Sequence, residues 1–114
     1  MIGVGFIGQL AHLMNYLENE DCEVVAIADF RSELLRKVAT RYGIPRSYAT
    51  HHELLADNEV EAVCVVTARP YTAPIVLDCL KAGKHVISEK PMAGSFEQAS
   101  RLVQTAKENN LNYV

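Results

Sequence analysis

The sequence predicts an α/β fold, a doubly wound parallel sheet. Two features carry this prediction: short, nearly continuous apolar runs, and amphipathic helical segments that alternate with them along the whole chain. Strands that alternate with helices form parallel sheets through right-handed crossovers. The chain has 114 residues, of which 49% are hydrophobic, so we expect one folded domain over residues 1–114.

A glycine-rich turn opens the chain. Residues 3–8 read Gly3-Val4-Gly5-Phe6-Ile7-Gly8, a G-x-G-x-x-G pattern. In dinucleotide-binding Rossmann folds the first glycine permits the tight turn, the second lets the pyrophosphate approach, and the third allows close helix packing. The next helix then offers its free N–H groups to the phosphates. The same pattern also occurs in ordinary loops, but its context favours a cofactor site formed by Gly3, Gly5, Phe6, Ile7 and Gly8.

A helix and a strand follow this turn. Apolar residues recur at helical spacing and predict an amphipathic helix, whose apolar stripe usually faces the core: Leu10, Ala11, Met14 and Leu17. Residues 23–29 then form a nearly continuous apolar run that ends in an acid, as in a buried parallel strand. That acid, Asp29, follows the last glycine by roughly 20 residues, where a carboxylate accepts hydrogen bonds from an adenosine ribose. The alternative is that Asp29 caps the next helix.

Asp29 also bears on the choice of cofactor. A carboxylate at this position repels a 2′-phosphate and favours NAD over NADP. Arg31 leaves NADP possible, because its guanidinium could bind that phosphate, although it could equally be a solvated residue at a helix start.

The middle of the chain continues the alternation. We predict a helix over residues 32–42, with an inward face and a stop at Gly43, and a very short strand over residues 47–49. Thr50 and Glu53 form a capping box that opens a short helix. The adjacent His51 and His52 are read as exposed first-turn residues and not as a metal site, because adjacent helical side chains point about 100° apart and no third ligand is evident. The inward face of the first of these helices consists of Leu34, Leu35, Val38, Ala39 and Tyr42.

The second half repeats the pattern. A buried strand over residues 62–67 precedes a helix from about Thr72 to Lys81, which stops at Gly83. Residues 85–89 form the next strand, and Ser95 and Gln98 open a last helix through a second capping box. Residues 111–114 begin one more strand. The inward residues of the last helix are predicted to be Ala99, Leu102, Val103 and Ala106.

Composition excludes several classes of function. A net charge of −3 provides no general attraction to nucleic acid or to an anionic membrane. No apolar stretch is long enough for a membrane span and no signal peptide is evident, so we expect a cytoplasmic protein. The cysteines are odd in number and lack metal-ligand spacing, and Cys64 and Cys79 are read as small core residues.

One segment carries a more specific resemblance. Residues 82–91 read Ala-Gly-Lys-His-Val-Ile-Ser-Glu-Lys-Pro and resemble the A-G-K-H-V-x-x-E-K-P segment of the Gfo/Idh/MocA oxidoreductase family. The resemblance covers the whole chain, including the glycine turn, Asp29 and the strand that ends at Thr67. It implies a two-domain enzyme, a homo-oligomer in its full-length form, that moves a hydride between a nicotinamide cofactor and a sugar, polyol or related hydroxyl compound.

The resemblance also implies roles for single residues. Glu89 would hold the ribose beside the nicotinamide, and Lys90 would lie at the nicotinamide and the reacting carbon as the catalytic residue. Pro91 would follow a cis peptide, and Thr67 would contact the cofactor. An ammonium at the position of Lys90 would stabilise charge that develops on the substrate oxygen, whereas the alternative makes Lys90 a surface loop residue.

Two departures from the family pattern qualify this expectation. Ala68 and Arg69 stand where relatives often have Pro-Asn, and Thr72 falls where a histidine near the cofactor would align. The first strand is reduced to residues 1–2, from which we expect unpaired backbone groups in the core, and the sheet-rich domain that supplies proton-transfer residues is absent. We therefore expect a fragment that binds the cofactor without the full catalytic machinery; the alternative is a redox-silent NAD(P) sensor or assembly module.

Overall fold

The computed structural model describes residues 1–114, in two compact units, Met1–Val60 and Glu61–Val114. In the first unit, strand β1 (Ala26–Ala28) pairs in parallel with strand β2 (Arg46–Tyr48). Ile2 forms a parallel bridge to Ala28 on β1. Parallel pairing within the unit agrees with the predicted fold class.

The expectation of unpaired backbone groups beside β1 is wrong at Ala28. The N–H of Ala28 donates to the carbonyl oxygen of Met1, and its own carbonyl accepts the N–H of Gly3, both at 2.8 Å. Met1 and Gly3, on either side of Ile2, therefore supply the backbone hydrogen-bond partners of Ala28. Met1, Ile2 and Val4 are all buried.

Three helices belong to the first unit. Helix α1 is π-helical over Gly8–Leu13 and α-helical over Met14–Glu18. Helix α2 (Ser32–Tyr42) ends at Gly43, which has a left-handed φ of 65°, and this confirms the predicted stop. In α2, Leu35 and Val38 are the buried residues, whereas Leu34, Ala39 and Tyr42 are only partly covered.

Helix α3 (His51–Leu55) begins with the predicted capping box, in which Thr50 and Glu53 satisfy each other's backbone N–H groups. The histidines at its start differ from expectation. Their ring centroids lie 3.9 Å apart, so the prediction that these side chains diverge is wrong. Rotation about the side-chain bonds brings the rings together, even though their Cα–Cβ bonds leave the helix in different directions.

The predicted apolar stripe of α1 is exposed instead of buried. Leu10 is 53% exposed and Met14 is 38% exposed, whereas Gly8 and Leu13 form the buried face. Gly8 packs its backbone directly against the opening turn. The face that carries Gly8 therefore determines which side of the helix is covered, and the larger side chains lie on the opposite side.

In the second unit, strand β3 (Ala62–Val65) pairs in parallel with strand β4 (His85–Ser88), with Val65 opposite Ser88. Val86 on β4 forms a further parallel bridge to Tyr113, so the predicted final strand is present as a single bridge. Strands β3 and β4 are both shorter than predicted. β3 ends at Val65, before Thr67, and β4 ends at Ser88, before Glu89.

Two helices complete the second unit. Helix α4 (Arg69–Lys81) begins three residues before the predicted Thr72, because Pro70 is tolerated in a first turn, where its missing N–H would have no partner. Helix α5 (Phe96–Glu108) is capped by Ser95 as predicted, and Leu102 and Ala106 are its buried residues. Val103 is 39% exposed, so its predicted inward position is wrong.

Further features concern thiols and membranes. Cys64 and Cys79 are buried, which confirms their assignment to the core, and Cys22 is exposed. None of the helices combines the length and the apolar character that crossing a membrane would require.

Candidate functional site

The opening turn has the backbone that its glycines predict. Gly3 has a φ of 87°, in the left-handed region that favours glycine. A Cβ on Gly8 would meet the carbonyl oxygen of Gly3 and would lie 2.8 Å from Cε of Met1, so no larger residue fits there without a shift. At Gly5 the nearest atom to such a Cβ is the far end of the Arg31 side chain, at 3.4 Å, an ordinary contact. The constraint at Gly8 comes from packing, whereas that at Gly5 does not.

Asp29 is fixed at this turn. Its side chain is almost fully buried, and Oδ2 accepts the backbone N–H of Val4 at 3.0 Å. Oδ1 accepts the backbone N–H of Arg31, also at 3.0 Å. The carboxylate at the end of β1 is thereby tied to the middle of the glycine turn, across 25 residues of sequence. The N-cap of α2 is Arg31 and the helix has no side-chain cap, so the alternative that Asp29 caps this helix is wrong.

Arg31 makes a bidentate ion pair with the same carboxylate. Its Nε donates to Oδ1 of Asp29 at 2.9 Å, and a terminal nitrogen donates to Oδ2 at 2.7 Å. The guanidinium lies over the ring of Phe30, 5.4 Å from the ring centroid, and its end reaches Gly5. Arg31 is therefore a partner of Asp29 at the turn, and it is also an exposed residue at the start of α2, as the alternative expected.

The pair shifts both pKa values. Burial alone would raise the pKa of Asp29, but hydrogen bonds from Arg31 and Val4 lower it below its ordinary value. The hydrogen bond to Asp29 raises the pKa of Arg31 further above its already high value. Asp29 is thus held as a carboxylate that accepts hydrogen bonds and cannot donate one.

In the second unit, polar residues follow the carboxyl ends of β3 and β4. Ligands of open α/β sheets bind at this edge. Thr67 lies two residues beyond the end of β3, and its hydroxyl is 3.2 Å from the hydroxyl of Thr72 in α4. Thr72 is only 2% exposed. The sequence predicts Thr67 as a cofactor contact and places Thr72 only where a family histidine would align. The pairing of the two hydroxyls was missed, and its available signal was a polar side chain on the buried face of a helix.

The Glu-Lys-Pro segment lies at the same edge. The N–H of Glu89 donates to the carbonyl of Val65 at 3.0 Å, which extends the β3–β4 ladder by one bond. The N–H of Lys90 donates to Oε2 of Glu89, and the Lys90 side chain is exposed. The peptide between Lys90 and Pro91 is cis, as expected. Thr67 and Glu89 thus follow neighbouring strands of one unit, and Ala68 and Arg69 are exposed at the start of α4, as its N-cap and its first residue.

The chain resembles characterised dehydrogenases over nearly its whole length. The family model described as an oxidoreductase family with an NAD-binding Rossmann fold, GFO_IDH_MocA, matches residues 1–114. Myo-inositol 2-dehydrogenase from Thermotoga maritima is 34% identical over 107 residues, which cover 94% of this chain and 32% of the relative. The chain spans about a third of the length of the curated relatives it matches.

Solved structures agree with this result. A 3-ketoreductase from Actinomadura kijaniata, in complex with TDP-benzene and NADP, matches with a TM-score of 0.90 and 32% identity, over 96% of this chain and 34% of the other. The WlbA dehydrogenase from Bordetella pertussis, in complex with NADH and UDP-GlcNAcA, matches with a TM-score of 0.90 and 28% identity, over 99% of this chain and 33% of the other. Together with the matched residues, these likenesses show that the chain belongs to the Gfo/Idh/MocA oxidoreductase family and has its NAD-binding Rossmann fold.

Proposed function

We propose that this chain is the part of a dehydrogenase that binds the nicotinamide cofactor, and that the whole enzyme oxidises or reduces a sugar, a polyol or a related hydroxyl compound. The observation that carries the proposal is the carboxylate of Asp29, held 3.0 Å from the amide nitrogen of Val4 in the glycine turn. A buried carboxylate at a Gly-x-Gly turn is the arrangement that binds an adenosine ribose beside a pyrophosphate.

The first unit would bind the adenosine half of the cofactor. Gly5 leaves room for the pyrophosphate, and the N–H groups at the start of α1 provide a favourable dipole for its charge. Asp29 would accept the ribose hydroxyls, which favours NAD. Arg31 supports NADP as a second cofactor, because its side chain is 48% exposed and can reach a 2′-phosphate. Phe6 and Ile7 would flank the cofactor, since both are exposed directly after Gly5.

The second unit would serve the nicotinamide half. The bound cofactor supplies the site that donates or accepts a hydride. Glu89 would accept a hydrogen bond from the neighbouring ribose, and Lys90 would place its ammonium where the substrate oxygen gains negative charge. The exposed Lys90 side chain is free to move toward a substrate that binds over this edge.

The relatives support the substrate class and not its identity. One is named as a myo-inositol dehydrogenase, and one solved neighbour holds UDP-GlcNAcA, so a polyol or a sugar nucleotide fits the proposal. The full-length form would be a homo-oligomer, as the resemblance implies. Three cysteines that form no disulfide suit a reducing compartment, and we propose the cytoplasm.

Substitution of Gly5 by alanine tests the proposal directly. The added methyl group meets only the flexible end of Arg31, so the free energy of unfolding should change by less than about 0.5 kcal/mol. The same methyl group would block the pyrophosphate, and NADH affinity, measured by its fluorescence, should fall by about tenfold or more.

Two further variants sharpen this experiment. Asp29→Ala should also weaken NADH binding, through loss of the ribose contact, whereas the exposed change Asn15→Ala in α1 should leave it unaltered. Unchanged NADH affinity in Gly5→Ala would contradict the proposed pyrophosphate turn, and unchanged affinity in Asp29→Ala would contradict the ribose assignment. Failure of the unmodified chain to bind either NADH or NADPH would overturn the proposed function.

A further inference from the structure

Two threonine hydroxyls in the second unit form a closed hydrogen-bonded pair. Thr72 Oγ1 donates to the backbone carbonyl oxygen of Thr67 at 3.3 Å, and the two hydroxyl oxygens lie 3.2 Å apart. Thr72 is 2% exposed, whereas Thr67 is partly open to solvent. The Thr72 hydroxyl is therefore buried inside the unit, and the Thr67 hydroxyl lies at the edge at which the strands end.

Either hydroxyl could donate across the 3.2 Å contact, but only one direction lets both contacts be hydrogen bonds at the same time. A threonine hydroxyl carries one hydrogen and two lone pairs. Both contacts are hydrogen bonds together only if Thr72 donates to the carbonyl of Thr67 and Thr67 donates to Oγ1 of Thr72. Thr67 is then left with lone pairs only, and its hydroxyl can accept a hydrogen bond from outside but cannot donate one.

A hydroxyl that can only accept a hydrogen bond distinguishes between the parts of the cofactor. Phosphate oxygens of a dinucleotide accept hydrogen bonds and offer no hydrogen, so an acceptor at Thr67 gains nothing from the pyrophosphate. Ribose hydroxyls and the carboxamide NH₂ of nicotinamide do offer a hydrogen. Thr67 therefore matches the nicotinamide half of the molecule.

We propose that Thr72 is a positioning residue, which holds the Thr67 hydroxyl as an acceptor for a hydrogen-bond donor on the nicotinamide half of the cofactor. The proposal rests on the proposed function, since it names what one residue of that site recognises. Thr72 itself does not touch the cofactor. It acts by accepting the hydroxyl hydrogen of Thr67, which could otherwise point toward the ligand.

The test measures three ligands against Thr72→Val, Thr72→Ser and Thr67→Val. The ligands are NADH, its 3-acetylpyridine analogue, which lacks the carboxamide NH₂, and ADP-ribose, which lacks the nicotinamide. We expect Thr72→Val to weaken NADH binding on the order of 3- to 10-fold, because the Thr67 hydrogen is no longer held away from the ligand and the hydrogen bond that Thr67 accepts is disturbed. Thr72→Ser, which restores the hydroxyl, should return the affinity toward that of the unmodified chain.

The other ligands identify the donor. If the donor is the carboxamide, Thr72→Val should bind the acetylpyridine analogue and ADP-ribose as the unmodified chain does. If the donor is a ribose hydroxyl, both ligands should lose affinity together with NADH. Either pattern supports the proposal, and Thr67→Val, at a partly exposed position, should reproduce it even if Thr72→Val does not fold.

Two results would overturn the proposal. One is NADH affinity that Thr72→Val leaves unchanged, and the other is an equal loss in Thr72→Val and Thr72→Ser, which would indicate packing alone. Both differ from failure of the proposed function, in which the unmodified chain binds none of the three ligands.

Discussion

Asp29 concentrates more interactions than any other polar residue of the described site. Its two oxygens receive a backbone N–H from the glycine turn, a backbone N–H from Arg31 and two guanidinium N–H groups. Hydrogen bonds to a charged group contribute more than neutral ones, and loss of a buried partner leaves the other groups unsatisfied. The carboxylate thus stabilises the turn in addition to its proposed role in binding.

This arrangement makes the free energy of unfolding sensitive to acid. The pKa of Asp29 in the folded chain lies below its unfolded value of about 3.9, so its contribution is fully present above that pH and is lost as the pH falls through the folded pKa. Asp29→Asn should be less stable at pH 7 by about 1–3 kcal/mol. It should also lose less stability than the unmodified chain below about pH 4.

Urea unfolding followed by circular dichroism between pH 7 and pH 2.5 measures both effects. Asp21→Asn, at an exposed position, controls for the loss of one negative charge. An identical acid dependence in Asp29→Asn and the unmodified chain would show that the carboxylate is not stabilised in the fold.

At the scale of residues, the sequence predicts which side chains belong to the site better than it predicts their hydrogen-bond partners. The spacing from Gly8 to Asp29 was enough to name the carboxylate, because a strand and a helix of ordinary length separate the two. The sequence could not identify the Val4 amide as the partner of Asp29. Every residue other than proline has a backbone N–H, and no sequence pattern shows which one donates to the carboxylate. The sequence leaves the role of Arg31 open, and the ion pair with Asp29 is evident only from the structure.

Helix α1 shows why periodicity alone can fail at the scale of an element. The spacing of Leu10 and Met14 correctly indicates a helix, but that face is exposed. The covered face carries Gly8, which contributes almost nothing to an apolar pattern, yet its lack of a side chain lets the backbone approach. A rule that searches for large apolar residues cannot detect a face that is buried because one residue is small.

Two leucines on opposite faces of α1 test this correction. Leu13 has no exposed surface, so Leu13→Ala should lower the free energy of unfolding by about 2–5 kcal/mol. Leu10 is 53% exposed, and Leu10→Ala should change it by less than about 0.5 kcal/mol. Urea denaturation of the two matched variants gives the comparison. A larger effect at Leu10 would restore the original prediction.

Element ends were predicted where a residue has a specific local role. Gly43 and Gly83 both have the left-handed φ expected after a helix, and Thr50 with Glu53 forms the full capping box. The box at Ser95 is only half present, because Gln98 accepts the N–H of Gly94 instead of that of Ser95. Side chains as flexible as that of Gln98 can choose between neighbouring backbone groups, and the sequence does not say which.

At the scale of the whole molecule, the order of strands and helices was predictable because connections in parallel α/β folds have few alternatives. Family membership followed from ten consecutive residues, 82–91, whose agreement with a known segment is specific. Substrate identity could not follow in the same way, since the matched region is about a third of the relatives' length.

The burial of the thiols gives a prediction for the whole chain. Cys22 is exposed, whereas Cys79 is fully buried, and burial raises the pKa of the Cys79 thiol to about 12. A thiol reagent at pH 8 should therefore modify one cysteine rapidly in the folded chain and all three in denaturant. Cys22→Ser should abolish the rapid reaction. Rapid modification of more than one thiol would show that the core opens on the timescale of the reaction.

The ion pair between Asp29 and Arg31 has a kinetic consequence. Both carboxylate oxygens are already engaged by the guanidinium, so under the proposed ribose assignment the ribose hydroxyls must exchange with Arg31. Association with NADH then has two steps, and its observed rate should level off at high concentration at the rate at which the ion pair opens. A cofactor that carries a 2′-phosphate gives the released guanidinium a new partner, so the same residue that delays one cofactor can retain the other.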